Sequence, residues 1–94
     1  MIKIKARLSL FKNTMRTMPI RTGYRPLFNF EVKSKKSGQI ELVNNEFIEV
    51  GNCGDVIVNF VNSEYLGENL KLGEKIFFDE GGERLGEIEI LEIY

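Results

Sequence analysis

The stretch Ile2-Lys-Ile-Lys-Ala-Arg-Leu-Ser-Leu10 alternates apolar and polar residues from end to end. Successive side chains of a β-strand point to opposite faces, so this period of two predicts a strand with one apolar and one basic face. A secretory signal peptide needs an unbroken apolar run, which the regularly spaced charges exclude. The chain is therefore predicted to begin with a strand that covers a hydrophobic core.

Comparable patterns follow along the rest of the chain. Further strands are predicted over residues 24–33, 40–42, 55–61, 75–79 and 84–93. A long loop is expected from Lys12 to Gly23, and turns are expected at Ser34–Gly38 and at Glu80–Glu83, where two glycines are free to take positive φ. In the last strand Ile88 and Ile90 share a face, but Leu91 and Ile93 fall on the opposite one, which predicts either a bulge or a strand end that is apolar on both faces. Six strands with frequent turns indicate a single all-β domain over residues 1–94, either a small antiparallel barrel or a sandwich.

The composition excludes several classes of function. The chain has no His and one Cys, so it lacks a Ser-His or Cys-His nucleophile pair, an imidazole zinc ligand and an internal disulfide. Cys53 is interpreted as a small buried or half-buried residue. No phosphate-binding Gly-x-x-x-x-Gly-Lys-Ser/Thr motif is present, which argues against a nucleotide site. We therefore expect a non-enzymatic protein without a cofactor or metal.

Charge is divided unevenly along the chain. Residues 1–36 hold ten basic residues and one acidic residue, whereas residues 37–94 hold three basic and thirteen acidic residues. The two parts carry formal charges of +9 and −10, which together give the net charge of −1. A basic segment beside an acidic one is typical of polyanion-binding proteins, although charges that alternate with apolar residues belong to strands.

No run of 18 apolar residues occurs, so no membrane span is expected and the default location is the cytoplasm.

Three stretches, in order, resemble one known domain. Arg21-Thr-Gly-Tyr-Arg-Pro-Leu-Phe-Asn-Phe30, then Gly54-Asp55 before an apolar strand, then Glu80-Gly-Gly-Glu-Arg-Leu-Gly86 are similar to motifs of the third domain of bacterial elongation factor Tu. The resemblance spans essentially the whole chain and implies a six-stranded antiparallel β-barrel. It further aligns Ser37-Gly38 with a Thr-Gly turn of that family.

The resemblance also implies partners. In elongation factor Tu this barrel helps to hold the T-stem side of aminoacyl-tRNA, and it contacts the GTPase domain and the exchange factor. The tRNA contacts carry over only in part, because Leu27 stands where the family has Gln and an apolar side chain cannot donate to a phosphate. The candidate contact residues for RNA or a protein partner are Arg16, Arg21, Arg25, Leu27, Lys33, Lys35, Lys36, Ser37 and Gly81.

Two functions remain open from the sequence. One is a protein-interaction module, translation-related or a competitor of the full-length factor, in which the apolar Leu27, Phe11 and Met18 contact the partner. The alternative is a tRNA- or RNA-binding module that uses the basic loop and strand from Arg16 to Lys36.

The barrel also predicts how the charges are arranged. If the first and last strands lie side by side, outward basic residues of one face outward acidic residues of the other, and each opposed pair contributes about 0.2–1 kcal/mol. Much of the charge asymmetry is then expected to cancel across the sheet. The outward residues concerned are Lys3, Lys5, Arg7, Glu87 and Glu89.

Overall fold

Six antiparallel strands form the protein. The computed structural model describes residues 2–31, 34–60 and 70–94. The strands are β1 (Ile2–Leu10), β2 (Leu27–Glu31), β3 (Ser34–Leu42), β4 (Cys53–Phe60), β5 (Lys75–Glu80) and β6 (Glu83–Ile93). They close into a barrel in the order β1-β4-β3-β2-β5-β6. The predicted all-β, six-stranded antiparallel barrel is thereby confirmed.

Alternation along the strands fills the barrel with apolar side chains. On β1, Ile4, Ala6 and Leu8 are fully buried, as the period of two predicted. Phe28 of β2 packs against Phe60 of β4 and Phe78 of β5, with ring centroids 5.3 and 5.9 Å apart respectively. A barrel of this size has an interior that side chains fill, so binding has to occur on its outside or at its ends.

The predicted turn at Ser34–Gly38 is wrong. All five residues belong to β3, and Ser34 pairs directly with Glu31 of β2. A Cβ atom on Gly38 would lie 2.7 Å from the Phe60 ring and 2.9 Å from the Phe28 ring. The glycine is needed because the two rings leave no room for a side chain, which is why a strand contains a residue that usually marks a turn.

Of the two alternatives predicted for the last strand, the structure shows the bulge. Lys5 of β1 pairs with Glu92 of β6, while the next residue, Ala6, pairs with Ile90. Leu91 is therefore the extra residue of β6. It permits Ile90 and Ile93 to pair with core-facing residues of β1 although they are three positions apart.

Three connections lie at the same end of the barrel, here called the loop end. Residues 11–26 join β1 to β2, residues 43–52 join β3 to β4, and residues 81–82 join β5 to β6. The predicted long loop over 12–23 lies within the first of them. The two long loops are tied together by Ile20 and Ile48, each of which donates its N–H to the carbonyl of the other, at 2.8 and 2.9 Å. The topology thus gathers loop residues from distant parts of the sequence.

The basic first strand lies between two strands that carry acids. β1 pairs with β4 on one side and with β6 on the other, so that Arg7 lies opposite both Asp55 and Glu89. Arg7 Nε is 3.3 Å from Asp55 Oδ1. The predicted adjacency of the first and last strands is confirmed, and Lys5 lies opposite Glu92 of β6. The predicted opposition of charges is met only in part, because Lys3 lies opposite Asn59 and Glu87 lies opposite Ser9. In the described part of the chain, no helix has the length and apolar character needed to cross a membrane.

Candidate binding surface at the loop end

Residues 12–19, here called the methionine loop, leave β1 and pass beside the β5–β6 hairpin. Met15 is 85% exposed and Met18 is 67% exposed. The backbone N–H of Met15 donates to the carboxylate of Glu83, at 2.9 Å to Oε1 and 3.2 Å to Oε2. The loop is thus attached to the hairpin at the residue whose side chain is most exposed.

Arg16 organises the methionine loop from within. Its Nε donates to the carbonyl of Met18 at 2.8 Å and its Nη2 donates to the carbonyl of Pro19 at 3.2 Å. Its Nη1 lies 2.7 Å from Glu80 Oε1, and the side chain is only 15% exposed. The guanidinium carbon also lies 4.5 Å from the centre of the Tyr24 ring. All three guanidinium nitrogens of Arg16 therefore donate to groups of the protein itself, and these hydrogen bonds would compete with binding of a phosphate.

Tyr24 completes this cluster. Its hydroxyl donates to Glu80 Oε1 at 2.5 Å. Burial raises the pKa of Tyr24 above its usual value near 10, and the hydrogen bond to Glu80 and the charge of that carboxylate raise it further. The phenol therefore keeps its proton at neutral pH and acts as a donor that holds Glu80 in place.

The hairpin that carries both carboxylates turns over two residues. Gly81 and Gly82 have φ values of 60° and 84°, which fit a type I′ turn and explain the glycine pair. Glu80 and Glu83 pair directly across the turn. The predicted hairpin and its positive-φ glycines are confirmed. A shallow pocket of about 310 Å³ separates loop and hairpin, and it is lined by Met15, Arg16, Thr17, Met18, Glu80, Gly81, Glu83 and Leu85.

Several predicted contact residues do lie at the loop end. Arg21 is exposed and its guanidinium carbon lies 5.5 Å from the centre of the Phe47 ring. Arg25 is exposed and donates weakly to Gln39 Oε1 at 3.4 Å. Leu27, 43% exposed, begins β2 opposite the exposed Ser37 of β3. Arg16 and Gly81 line the pocket beside them.

The predicted lysines are placed differently. Lys36 lies opposite the buried Phe28, so it occupies the core-facing side of β3 and is half-buried. Lys35 lies opposite Asn29 in the backbone ladder, and Lys33 lies outside the described residues. The predicted arginines therefore lie at the loop end, whereas Lys36 occupies the core-facing side of β3.

Sequence reasoning missed the partnership between Met15 and Glu83. The donor and acceptor of this contact are 68 positions apart. No local pattern connects them, because contacts of this kind depend on which strands become neighbours.

A second, larger groove opens at the loop end. Its volume is about 1030 Å³, and it lies between the end of β1 and the loop formed by residues 43–52. Cys53 lines it and is exposed, so the interpretation of this cysteine as buried or half-buried is wrong. The residue begins β4 with its side chain on the outer face of the barrel, because Val56 and Val58 take the inner positions.

Metal ligands do not cluster in the described ranges: no three residues of the types His, Cys, Asp and Glu come close enough together there to hold an ion. Comparison of the chain with protein-family models and with curated protein sequences found no match.

Proposed function

We propose that the chain is a non-enzymatic protein-binding module whose contact surface is the methionine loop together with the β5–β6 hairpin. The observation that carries this proposal is the exposure of Met15 and Met18, 85% and 67%, on a loop whose backbone is attached to a hairpin. Apolar groups that are held in position before binding lose little conformational entropy when the complex forms. Methionine also adapts its shape to an apolar partner surface.

The charges around this surface favour a protein over a nucleic acid. Glu80 and Glu83 lie at its edge, and the charge of Arg16 is balanced by Glu80 at 2.7 Å. Carboxylates repel phosphates, and affinity for nucleic acids depends chiefly on free Lys and Arg. Leu27, exposed at the start of β2, extends the apolar character of this end.

The class of partner follows from the resemblance to the third domain of elongation factor Tu. That barrel contacts a GTPase domain and an exchange factor, so a translation-related protein, or a competitor role toward the full-length factor, is the first candidate. Purified elongation factor Tu and its exchange factor are therefore the first proteins to test.

An RNA-binding module is the second candidate. It is favoured by Arg21 and Arg25, which are both exposed at the loop end. Their side chains reach solvent, and single hydrogen bonds or ring contacts to Gln39 and Phe47 do not prevent phosphate binding.

A binding assay distinguishes the two candidate functions. The chain is immobilised on a surface, and the binding of each purified protein and of tRNA to it is measured. The double variant Met15→Ser/Met18→Ser is expected to weaken protein binding by at least about tenfold, because each methionine contributes about 1.5–3 kcal/mol when buried. The matched control is Leu72→Ser, since Leu72 is 68% exposed and lies outside the loop end. Equal losses in the control would refute the assigned surface.

The RNA arm uses the double variant Arg21→Gln/Arg25→Gln and a salt series. The RNA-binding function would replace the protein-binding function if two results were found together. The wild type would have to bind tRNA in a salt-dependent way that the variant abolishes, and neither protein would bind. We expect the opposite pattern: protein binding that depends on the methionines and no tRNA binding near physiological salt.

A further inference from the structure

The methionine loop is joined to the barrel almost entirely by side chains. Its flanks are fixed through the backbone, because Phe11 donates to the carbonyl of Leu85 and Ile20 donates to the carbonyl of Ile48, both at 2.8 Å. Between them, among the described residues, no backbone–backbone hydrogen bond links residues 12–19 to the rest of the protein. The links that span this gap are made by Glu83 to Met15 and by Glu80 to Arg16.

The two carboxylates are well suited to serve as fixed points. Both flank a two-residue turn, and each belongs to a strand that is paired along its length. Glu80 is further held by the Tyr24 hydroxyl at 2.5 Å. A loop of eight residues without backbone pairing is intrinsically mobile, so the conformation of its tip depends on these side-chain contacts.

We propose that Glu80 and Glu83 are positioning residues that clamp the methionine loop in the conformation in which Met15 and Met18 bind the partner. The proposal rests on the proposed function and adds how its surface is maintained. Each carboxylate acts on a different part of the loop: Glu83 holds the backbone of Met15, and Glu80 holds Arg16, which in turn holds the carbonyls of Met18 and Pro19. Without the clamp the methionines are still present, but ordering the loop opposes binding.

The first test needs no partner. In Glu83→Ala we expect hydrogen exchange at the Met15 amide, and trypsin cleavage after Arg16, to accelerate by about tenfold or more. Glu83→Gln keeps a side-chain oxygen that can accept the Met15 N–H, so most of the protection should return. The matched control is Glu87→Ala on the same strand, which should stay within about twofold of the wild type.

Glu80→Ala tests the other half of the clamp. It removes the partner of Arg16 and the acceptor of the Tyr24 hydroxyl, so cleavage after Arg16 should again accelerate, and by more than the accompanying loss of global stability explains. Unchanged exchange at Met15 and unchanged cleavage after Arg16 in both alanine variants would refute the clamp.

The second test measures affinity for purified elongation factor Tu in the immobilised-chain assay. Glu83→Ala is expected to bind about tenfold more weakly, and Glu83→Gln to recover most of the loss. If Glu83→Ala makes the loop mobile but binds with unchanged affinity, the positioning role is refuted. The assigned binding surface would still hold in that case, provided that Met15→Ser/Met18→Ser binds poorly. If the wild-type chain does not bind elongation factor Tu, both the proposed function and the positioning role in binding are refuted. Hydrogen exchange and trypsin cleavage would still show whether Glu80 and Glu83 hold the methionine loop in place.

Discussion

At the scale of single residues, Glu80 has the most varied role at the loop end. One of its oxygens accepts a hydrogen bond from Tyr24 at 2.5 Å and pairs with Arg16 at 2.7 Å. The Arg16 guanidinium lies over the Tyr24 ring, so the three side chains support one another. The stability that these contacts contribute should therefore depend on whether the Tyr24 hydroxyl is protonated.

Tyr24→Phe removes the hydroxyl and keeps the ring under Arg16. We expect a loss of about 1 kcal/mol in the free energy of unfolding at neutral pH. Because the folded-state pKa of Tyr24 is raised, the unfolded chain releases the phenolic proton first as pH increases. The hydroxyl's contribution is therefore complete below about pH 10 and is lost as pH rises further.

Urea unfolding of wild type and Tyr24→Phe at about pH 8 and about pH 11 tests this expectation. The difference in stability between the two proteins should shrink at the higher pH. An equal difference at both values would show that the hydroxyl does not titrate as the structure indicates.

Gly86 is a second residue whose role depends on its neighbours. A Cβ atom there would lie 2.3 Å from the Ser9 carbonyl oxygen and 2.7 Å from Phe78 Cζ. Gly86→Ala is expected to destabilise the protein by about 3 kcal/mol, because a backbone atom cannot move away cheaply. The measurement is chemical denaturation.

Gly81→Asn is the control in the same hairpin. Nothing lies within 4 Å of a Cβ atom at Gly81, and its φ of 60° is one that asparagine tolerates. This variant should stay within about 0.5 kcal/mol of the wild type. A comparable loss in both variants would point to a general need for glycine rather than to the close contact at Gly86.

At the scale of elements, the bulge at Leu91 separates two stretches of regular pairing between β6 and β1. Ile90 pairs with Ala6 before it, and Glu92 pairs with Lys5 after it. The ladder between β5 and β6 ends at Lys75 and Glu89, and Ile90 continues it with backbone hydrogen bonds to Gly73 and Glu74. Leu91 lies beyond these contacts, so the bulge disturbs only the pairing of β6 with β1.

Deleting Leu91 should therefore be tolerated. The shortened chain would place Glu92 and Ile93 opposite their present partners with regular pairing, and we expect a change within about 1 kcal/mol. Deleting Glu89 instead would move Ile90, which is 1% exposed, to the outer face. That deletion should cost more than about 2 kcal/mol, as judged by urea unfolding. Similar losses from the two deletions would contradict the assigned bulge.

At the scale of the whole molecule, the order of strands mixes the basic and acidic parts of the chain. Strands from the basic part do not form a separate sheet, because β1 lies between β4 and β6, and β2 lies between β3 and β5. The formal charges of +9 and −10 are therefore distributed around one barrel. Charge contributes to stability through neighbouring strands rather than through one large field.

Arg7→Glu tests this arrangement, because it would face Asp55 on one side and Glu89 on the other. The Arg7 side chain is 60% exposed, so we expect a loss of about 1 kcal/mol at low salt that becomes smaller near 1 M salt. Arg7→Gln should lose about half as much or less. Equal losses at both salt concentrations would assign the effect to packing of the arginine stem.

Local sequence patterns predicted the presence of six strands, although β3 extends over Ser34–Leu42 rather than residues 40–42, because alternation and two-residue turns depend on neighbouring residues. The first strand and the Gly81-Gly82 hairpin follow from such patterns, whereas the break in alternation after Ile90 left a bulge and a two-sided strand end open. Ser34–Gly38 was assigned wrongly because the reason for Gly38 is the position of two distant phenylalanine rings. Cys53 was assigned wrongly because its exposure depends on where β4 begins beside the groove.

The sequence by itself determined that this protein is a small β-domain with alternating strands and a glycine hairpin turn, since each of these is a local property of the chain. Only the tertiary structure decided which side chains meet at the loop end. Met15 and Glu83 are brought together by the closure of the barrel, which places loops from three parts of the chain at one end. Closure also brings Arg16 to Glu80 and leaves Met15 and Met18 exposed. No short stretch of sequence predicts these contacts, because they depend on the pairing of strands that are distant in the chain.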